Sequence, residues 1–96
     1  LLPATWIDEA STSHIASLPA GARRETLKIK PEDSDWLQGY GYQMWRCRHN
    51  AFRADGANGQ FIVVLPEKDA VIVTTAHIGD MQAELNMIWE HLLPAL

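Results

Sequence analysis

The run Phe61-Ile62-Val63-Val64-Leu65-Pro66-Glu67-Lys68-Asp69-Ala70-Val71-Ile72-Val73-Thr74-Thr75-Ala76 decides the fold. It contains two stretches of aliphatic and β-branched residues, 61–65 and 70–76, of the kind that favours strands. The link between them, Pro66 to Asp69, suits a hairpin and is too short for a helical crossover. The two strands are therefore expected to be antiparallel neighbours. Neither stretch alternates clearly between apolar and polar. Strands of that kind are expected where both faces of a sheet are covered.

Upstream, Gly56-Ala57-Asn58-Gly59 is a tight polar link whose glycines permit positive φ. It joins the strand from Phe61 to a shorter one predicted over Ala51 to Asp55. Cys47-Arg48-His49-Asn50 is a plausible hairpin connection to a further strand over Gly39 to Arg46, which carries Tyr40, Tyr42, Met44 and Trp45. Downstream, a helix is predicted from Asp80 to Leu93, with Asp80 as its cap and Pro94 as its stop. Met81, Leu85, Ile88 and Leu92 form its apolar face, with Trp89 beside them, while Glu84 and Glu90 point to water.

The N-terminal third is less regular. Thr5 to Ser17 reads as a short helix capped by Thr5, with Asp8 and Glu9 in its first turn. Trp6, Ile7, Ala10 and Ile15 supply its apolar side. Leu18-Pro19-Ala20-Gly21 ends it. Ala22 to Gln38 reads as a polar surface loop. Basic Arg23, Arg24, Lys28 and Lys30 are followed there by acidic Glu32, Asp33 and Asp35, a pattern expected of a solvated face. The fold class is thus α+β: an antiparallel sheet of about four strands with N- and C-terminal helices. Residues 1–35 form a helix and polar loop, and 36–96 form the strands and closing helix. One long helix and a short one cannot cover both faces of such a sheet. The strand pattern therefore asks for a cover that a larger parent protein or self-association would supply.

The chain has 96 residues, 8 Lys+Arg against 12 Asp+Glu, and a formal charge of −4. That mild acidity argues against nucleic-acid binding, which needs clustered Lys/Arg. No apolar run approaches the roughly 20 residues that span a bilayer. The lone cysteine, Cys47, excludes an internal disulfide and a cysteine-based zinc site. The start at Leu1 suggests a piece of a longer protein. His14, His49, His77 and His91 lack metal-ligand spacing, so neither a metal nor another cofactor is expected. Cys47 lies beside Arg46, Arg48 and His49, which could lower a thiol pKa, but they are weak grounds for a nucleophile. None of Ser11, Ser13, Ser17 and Ser34 sits in a Gly-x-Ser-x-Gly elbow or a Ser-x-x-Lys. No residue here pairs a nucleophile with an activating base, so the chain is not expected to be active alone. The end of the strand at Ala54-Asp55-Gly56-Ala57 could let a substrate approach the backbone and offer N–H groups to an oxyanion. The same residues also make an ordinary turn.

Gly39-Tyr40-Gly41-Tyr42-Gln43-Met44-Trp45, Phe52-x-Ala54-Asp55-Gly56-Ala57-Asn58-Gly59-Gln60-Phe61 and Pro66-Glu67-Lys68-Asp69-Ala70-Val71-Ile72-Val73 occur in this order. Together they resemble the C-terminal end of serine β-lactamase-related hydrolases, a group that includes class C β-lactamases, penicillin-binding proteins and esterases. The likeness covers roughly Trp36 to Leu96. It implies that the catalytic Ser-x-x-Lys and Tyr-x-Asn elements lie upstream, since neither is in this chain. It places the family's Lys-Thr-Gly or His-x-Gly strand on Ala54-Asp55-Gly56. Ala57 would then supply a backbone N–H to the oxyanion hole, and Ala54, Asp55, Gly56 and Asn58 would border the substrate. Ala54 stands where the family has a basic or imidazole residue, which favours ester or amide substrates over β-lactams. Alternation sends Arg53 to the opposite face, and Asp55, if ionised, disfavours anionic substrates. The partners so implied are the N-terminal part of the parent hydrolase and a small-molecule ester or amide, in a periplasmic or exported protein. The strand over Ala70 to Ala76 would lack its neighbour and leave an open edge. The reading from another class is a non-catalytic module that associates through that edge.

Overall fold

The computed structural model describes residues 2–17 and 29–96. Its centre is a four-stranded antiparallel sheet in the order β1-β2-β3-β4, with β1 Trp45–Arg46, β2 Phe52–Gly56, β3 Gln60–Leu65 and β4 Ala70–Thr74. The meander expected from the sequence is present, and each link is short. The β3–β4 link is a turn of 3₁₀ helix, Pro66–Lys68, closed by Asp69 at φ 49°. Among the described residues β4 pairs only with β3, so its other side is an open edge.

Register sorts the apolar strands into two unlike faces. Arg53 lies opposite Val63, which lies opposite Ile72, while Leu65 lies opposite Ala70. This face carries the core, in which Phe61, Val63 and Leu65 pack with Cys47, Ala51, Leu85, Ile88 and Trp89. On the other face Ala54, Ile62 and Val73 form one row, and Phe52, Val64 and Val71 form the next. Phe52 is buried and Val64 half-buried. Val71 and Val73, however, are 60% and 66% exposed, and Ile62 is exposed beside them. The lack of alternation thus reflects two apolar faces, only one of which is covered within the described residues.

The cover is α2, Met81–Met87, prolonged by a turn of π-helix over Ile88–Leu92 and a 3₁₀ turn over Leu93–Ala95. Asp80 caps α2 as expected, its Oδ1 accepting from the Ala83 N–H at 3.1 Å. Two expectations for this helix fail. The wider π turn shifts the register by one residue, so Leu93 rather than Leu92 packs on the core, and Leu92 is exposed. Glu84, expected in water, is only 7% exposed.

The N-terminal expectations also need correction. α1 covers Ala4–Ser11, follows Pro3, and takes no side-chain cap, so Thr5 is inside it. Asp8 and Glu9 lie beyond its first turn. It ends before Thr12, whose hydroxyl, like that of Ser11, donates back to a carbonyl of the preceding turn. Ile15 is exposed and forms an isolated bridge with Tyr40. The strand expected over Gly39 to Arg46 is only two residues long, because the chain turns through Tyr42 and Gln43, the latter at φ 60°. The Tyr42 N–H donates to the Ala10 carbonyl at 2.8 Å. A Cβ on Gly41 would overlap that same carbonyl oxygen. Gly41→Ala is therefore expected to cost roughly 1–3 kcal/mol, as overpacking does, and to deprotect the Tyr42 amide. Urea unfolding with hydrogen exchange measures both, and an unchanged midpoint would refute this docking of α1.

The loop expected over Ala22 to Gln38 lies partly outside the described residues, as do the helix stop at Leu18-Pro19-Ala20-Gly21 and the basic Arg23, Arg24 and Lys28. From Pro31 the structure agrees with a solvated face for Glu32 and Asp33, which are exposed, but not for Asp35. Two 3₁₀ turns, Pro31–Asp33 and Asp35–Leu37, bring the chain across the core, and Asp35 is 1% exposed. Its carboxylate accepts from the Arg48 side chain and backbone, from Trp89 Nε1 at 2.9 Å and from Gln82 Nε2 at 2.6 Å.

Candidate functional site

The pairing of Gly56 with Gln60 closes a three-residue turn, Ala57-Asn58-Gly59, between β2 and β3. Asn58 at φ 68° and Gly59 at φ 98° make that turn possible. Asparagine tolerates the left-handed region, and glycine adopts it freely. Gly59 is also required for room, since a Cβ there would overlap Glu84 Oε2. The turn is held from behind. The Ile78 N–H donates to the Asn58 carbonyl at 2.9 Å, and Gln60 Nε2 donates to the carbonyls of Ala57 and Ala76. Among the described residues the Ala57 N–H makes no hydrogen bond. Ala57 and Asn58 are exposed at the tip.

Ala54 and Gly56 border a shallow groove of about 280 Å³ on the sheet's uncovered face, with Ile62, Val73 and Thr75. Asp55 reaches the rim of that groove, but its carboxylate accepts from Arg53 Nε at 2.9 Å. The groove therefore gathers Ala54, Asp55 and Gly56, while Ala57 and Asn58 stand at the turn beyond it. Arg53 faces away from Ala54, as alternation requires. It is 1% exposed and stacks on Trp36 at 4.5 Å, and its Nη1 donates to the carbonyls of Asp35 and Arg46. Among the described residues no Lys, Arg or His lines the groove.

The other candidate nucleophiles are occupied or buried. Ser11 Oγ donates to the Ile7 carbonyl, Ser34 Oγ accepts from the Trp36 N–H, and Ser17 Oγ accepts from the Gly39 N–H. Cys47 is buried, and burial pushes its thiol up to about 11, although the Arg53 guanidinium beside it pulls the other way. A thiol in that state is inert. His14 stacks on Tyr42 and His49 packs against Trp89. Among the described residues no group of three His, Cys, Asp or Glu could hold a metal. No described helix is long and apolar enough to cross a membrane.

Sequence reasoning missed two buried carboxylates. Asp35 draws the buried hydrogen bonds of the core together. Glu84 Oε2, under the Gly59 turn, has no hydrogen-bond partner among the described residues. The only signal for Asp35 was the Trp36-Leu37 pair after it. Glu84 gave none beyond its position one residue before Leu85. No family model, no curated protein and no solved structure matches the chain.

Proposed function

We propose that this chain is the C-terminal part of a β-lactamase-related serine hydrolase acting on a small ester or amide. One observation carries the reading. Among the described residues, the turn with the free Ala57 N–H opens beside a sheet face on which Ile62, Val71 and Val73 stand uncovered, next to the unpaired edge of β4. Covering each of those side chains is worth about 1.5–3 kcal/mol, so the face favours a partner layer. In this reading a helical domain carrying Ser-x-x-Lys and Tyr-x-Asn is that layer. Ala57 N–H is one donor of the oxyanion hole, and the nucleophilic serine's own N–H is the other. Ala54 and Gly56 form a wall of the cleft.

The test is the coding sequence upstream of Leu1. It is expected to encode Ser-x-x-Lys followed by Tyr-x-Asn. The longer polypeptide is expected to cleave p-nitrophenyl esters faster than nitrocefin and to be labelled by a fluorophosphonate. Absence of both motifs overturns the hydrolase and leaves a non-catalytic module that associates through the exposed edge of β4.

A further inference from the structure

We infer that Gln60 is a positioning residue for the Ala57 N–H, holding it from both sides and strapping its turn to the segment between β4 and α2. The inference rests on the hydrolase reading and adds to it the residue that aims the oxyanion donor. The backbone of Gln60 pairs with Gly56, the residue before Ala57. Its side-chain Nε2 donates to the Ala57 carbonyl at 3.4 Å and also to the Ala76 carbonyl. Each peptide unit is a plane, so the chain at Ala57 can turn only about φ and ψ. The plane before Ala57 carries its N–H and starts at Gly56. The plane after it carries its carbonyl. Gln60 ties the first through the ladder and the second through its side chain.

The rest of the turn is bonded from the same side. The Asn58 carbonyl accepts from the Ile78 N–H at 2.9 Å, and the Gly59 carbonyl accepts from Thr74 Oγ1 at 3.5 Å. Three successive carbonyls are thus engaged by Gln60 and by residues of the stretch 74–78. The Ala57 N–H is left without an acceptor among the described residues. An oxyanion donor works only if it is aimed before the charge develops, since reorienting it during the reaction costs part of the stabilisation. Gln60 supplies that aim without touching the substrate. It is half-buried and outside the core cluster, so truncating it opens no core cavity. The ladder pair with Gly56 is made by the backbone and survives truncation. What is lost is the hold on the Ala57 carbonyl and the bridge to Ala76.

The test has two arms, with Gln60→Ala and with Gln60→Glu, which keeps the length and loses the donor hydrogens. In the ¹⁵N-labelled 96-residue chain, the order parameter of the Ala57 amide is expected to fall from about 0.85 to below about 0.6 in both variants, the change from rigid to flexible backbone. In the longer polypeptide, kcat for a p-nitrophenyl ester is expected to fall by up to about 10²-fold with KM little changed, the scale of a small misplacement of a catalytic group. The decisive measurement is the double variant. In an Ala57→Pro background the N–H is already gone, so adding Gln60→Ala should slow the enzyme no further; a merely structural role would make the two losses add. An Ala57 amide that stays rigid, an unchanged kcat, or additive losses overturns the inference and leaves the hydrolase standing. A longer polypeptide without Ser-x-x-Lys and without esterase activity overturns both, even if the Ala57 amide loosens.

Discussion

Asp35→Ala is expected to destabilise the chain by roughly 3–5 kcal/mol, the cost of breaking a buried ion pair from one side. Asp35 Oδ2 takes donors from Arg48 Nη2 at 3.0 Å, Gln82 Nε2 and Trp89 Nε1, while Oδ1 takes the Arg48 backbone N–H. The Asp35 N–H donates in turn to Gln82 Oε1, and its carbonyl accepts from Arg53 Nη1. The carboxylate thus ties the 3₁₀ turn to the β1–β2 hairpin and to α2. Alanine leaves its donors facing a void. Urea unfolding of the variant against the parent chain measures the loss, and one below about 1 kcal/mol, the scale of an exposed pair, refutes the hub.

The same residue sets an acid limit. Burial alone would raise the Asp35 carboxyl, but hydrogen bonds from Arg48, Trp89 and Gln82 outweigh it and hold the group below its ordinary range. The unfolded chain therefore takes up this proton first, near pH 3.9 on the unperturbed scale, roughly. The stabilisation is whole above that value and is lost as pH falls through the lower, folded one. In Asp35→Asn that particular acid-side loss should be absent.

Particular residues show what the sequence revealed and why it stopped. β3, β4 and their link were legible because β-branched runs and a short Pro-containing loop act locally. The cap at Asp80 was legible for the same reason. Asp35 was misread because its acidic neighbours Glu32 and Asp33 are exposed, and nothing local distinguishes a carboxylate whose partners lie 13 to 54 residues away. Leu92 was misplaced because a constant helical period cannot anticipate a π turn. The strand over Gly39 to Arg46 was overextended because its aromatic residues suggested a ladder. The glycines instead let the backbone press against α1. At the candidate site, the turn at Gly56 to Gly59 and the outward Ala54 were readable from alternation and glycine placement. The Arg53–Asp55 pair, which ties Asp55 to the core-face guanidinium, required the register.

On the proposed hydrolase reading, Ala57→Pro in the longer polypeptide is expected to lower kcat by roughly 10²–10³-fold, the cost of losing one oxyanion-hole donor. Among the described residues the Ala57 N–H makes no hydrogen bond, so proline takes none from the described fold. Its fixed φ makes Ala57→Gly the companion variant, since glycine keeps the N–H and adds only freedom. A donor role predicts that proline depresses kcat while KM changes little and glycine stays near the parent. The reason is that an oxyanion develops fully only in the transition state, and an interaction made only there leaves ground-state binding largely untouched. A merely structural role predicts instead that both variants lose stability and activity together. Equal rates for parent and proline variants would remove Ala57 from the oxyanion hole.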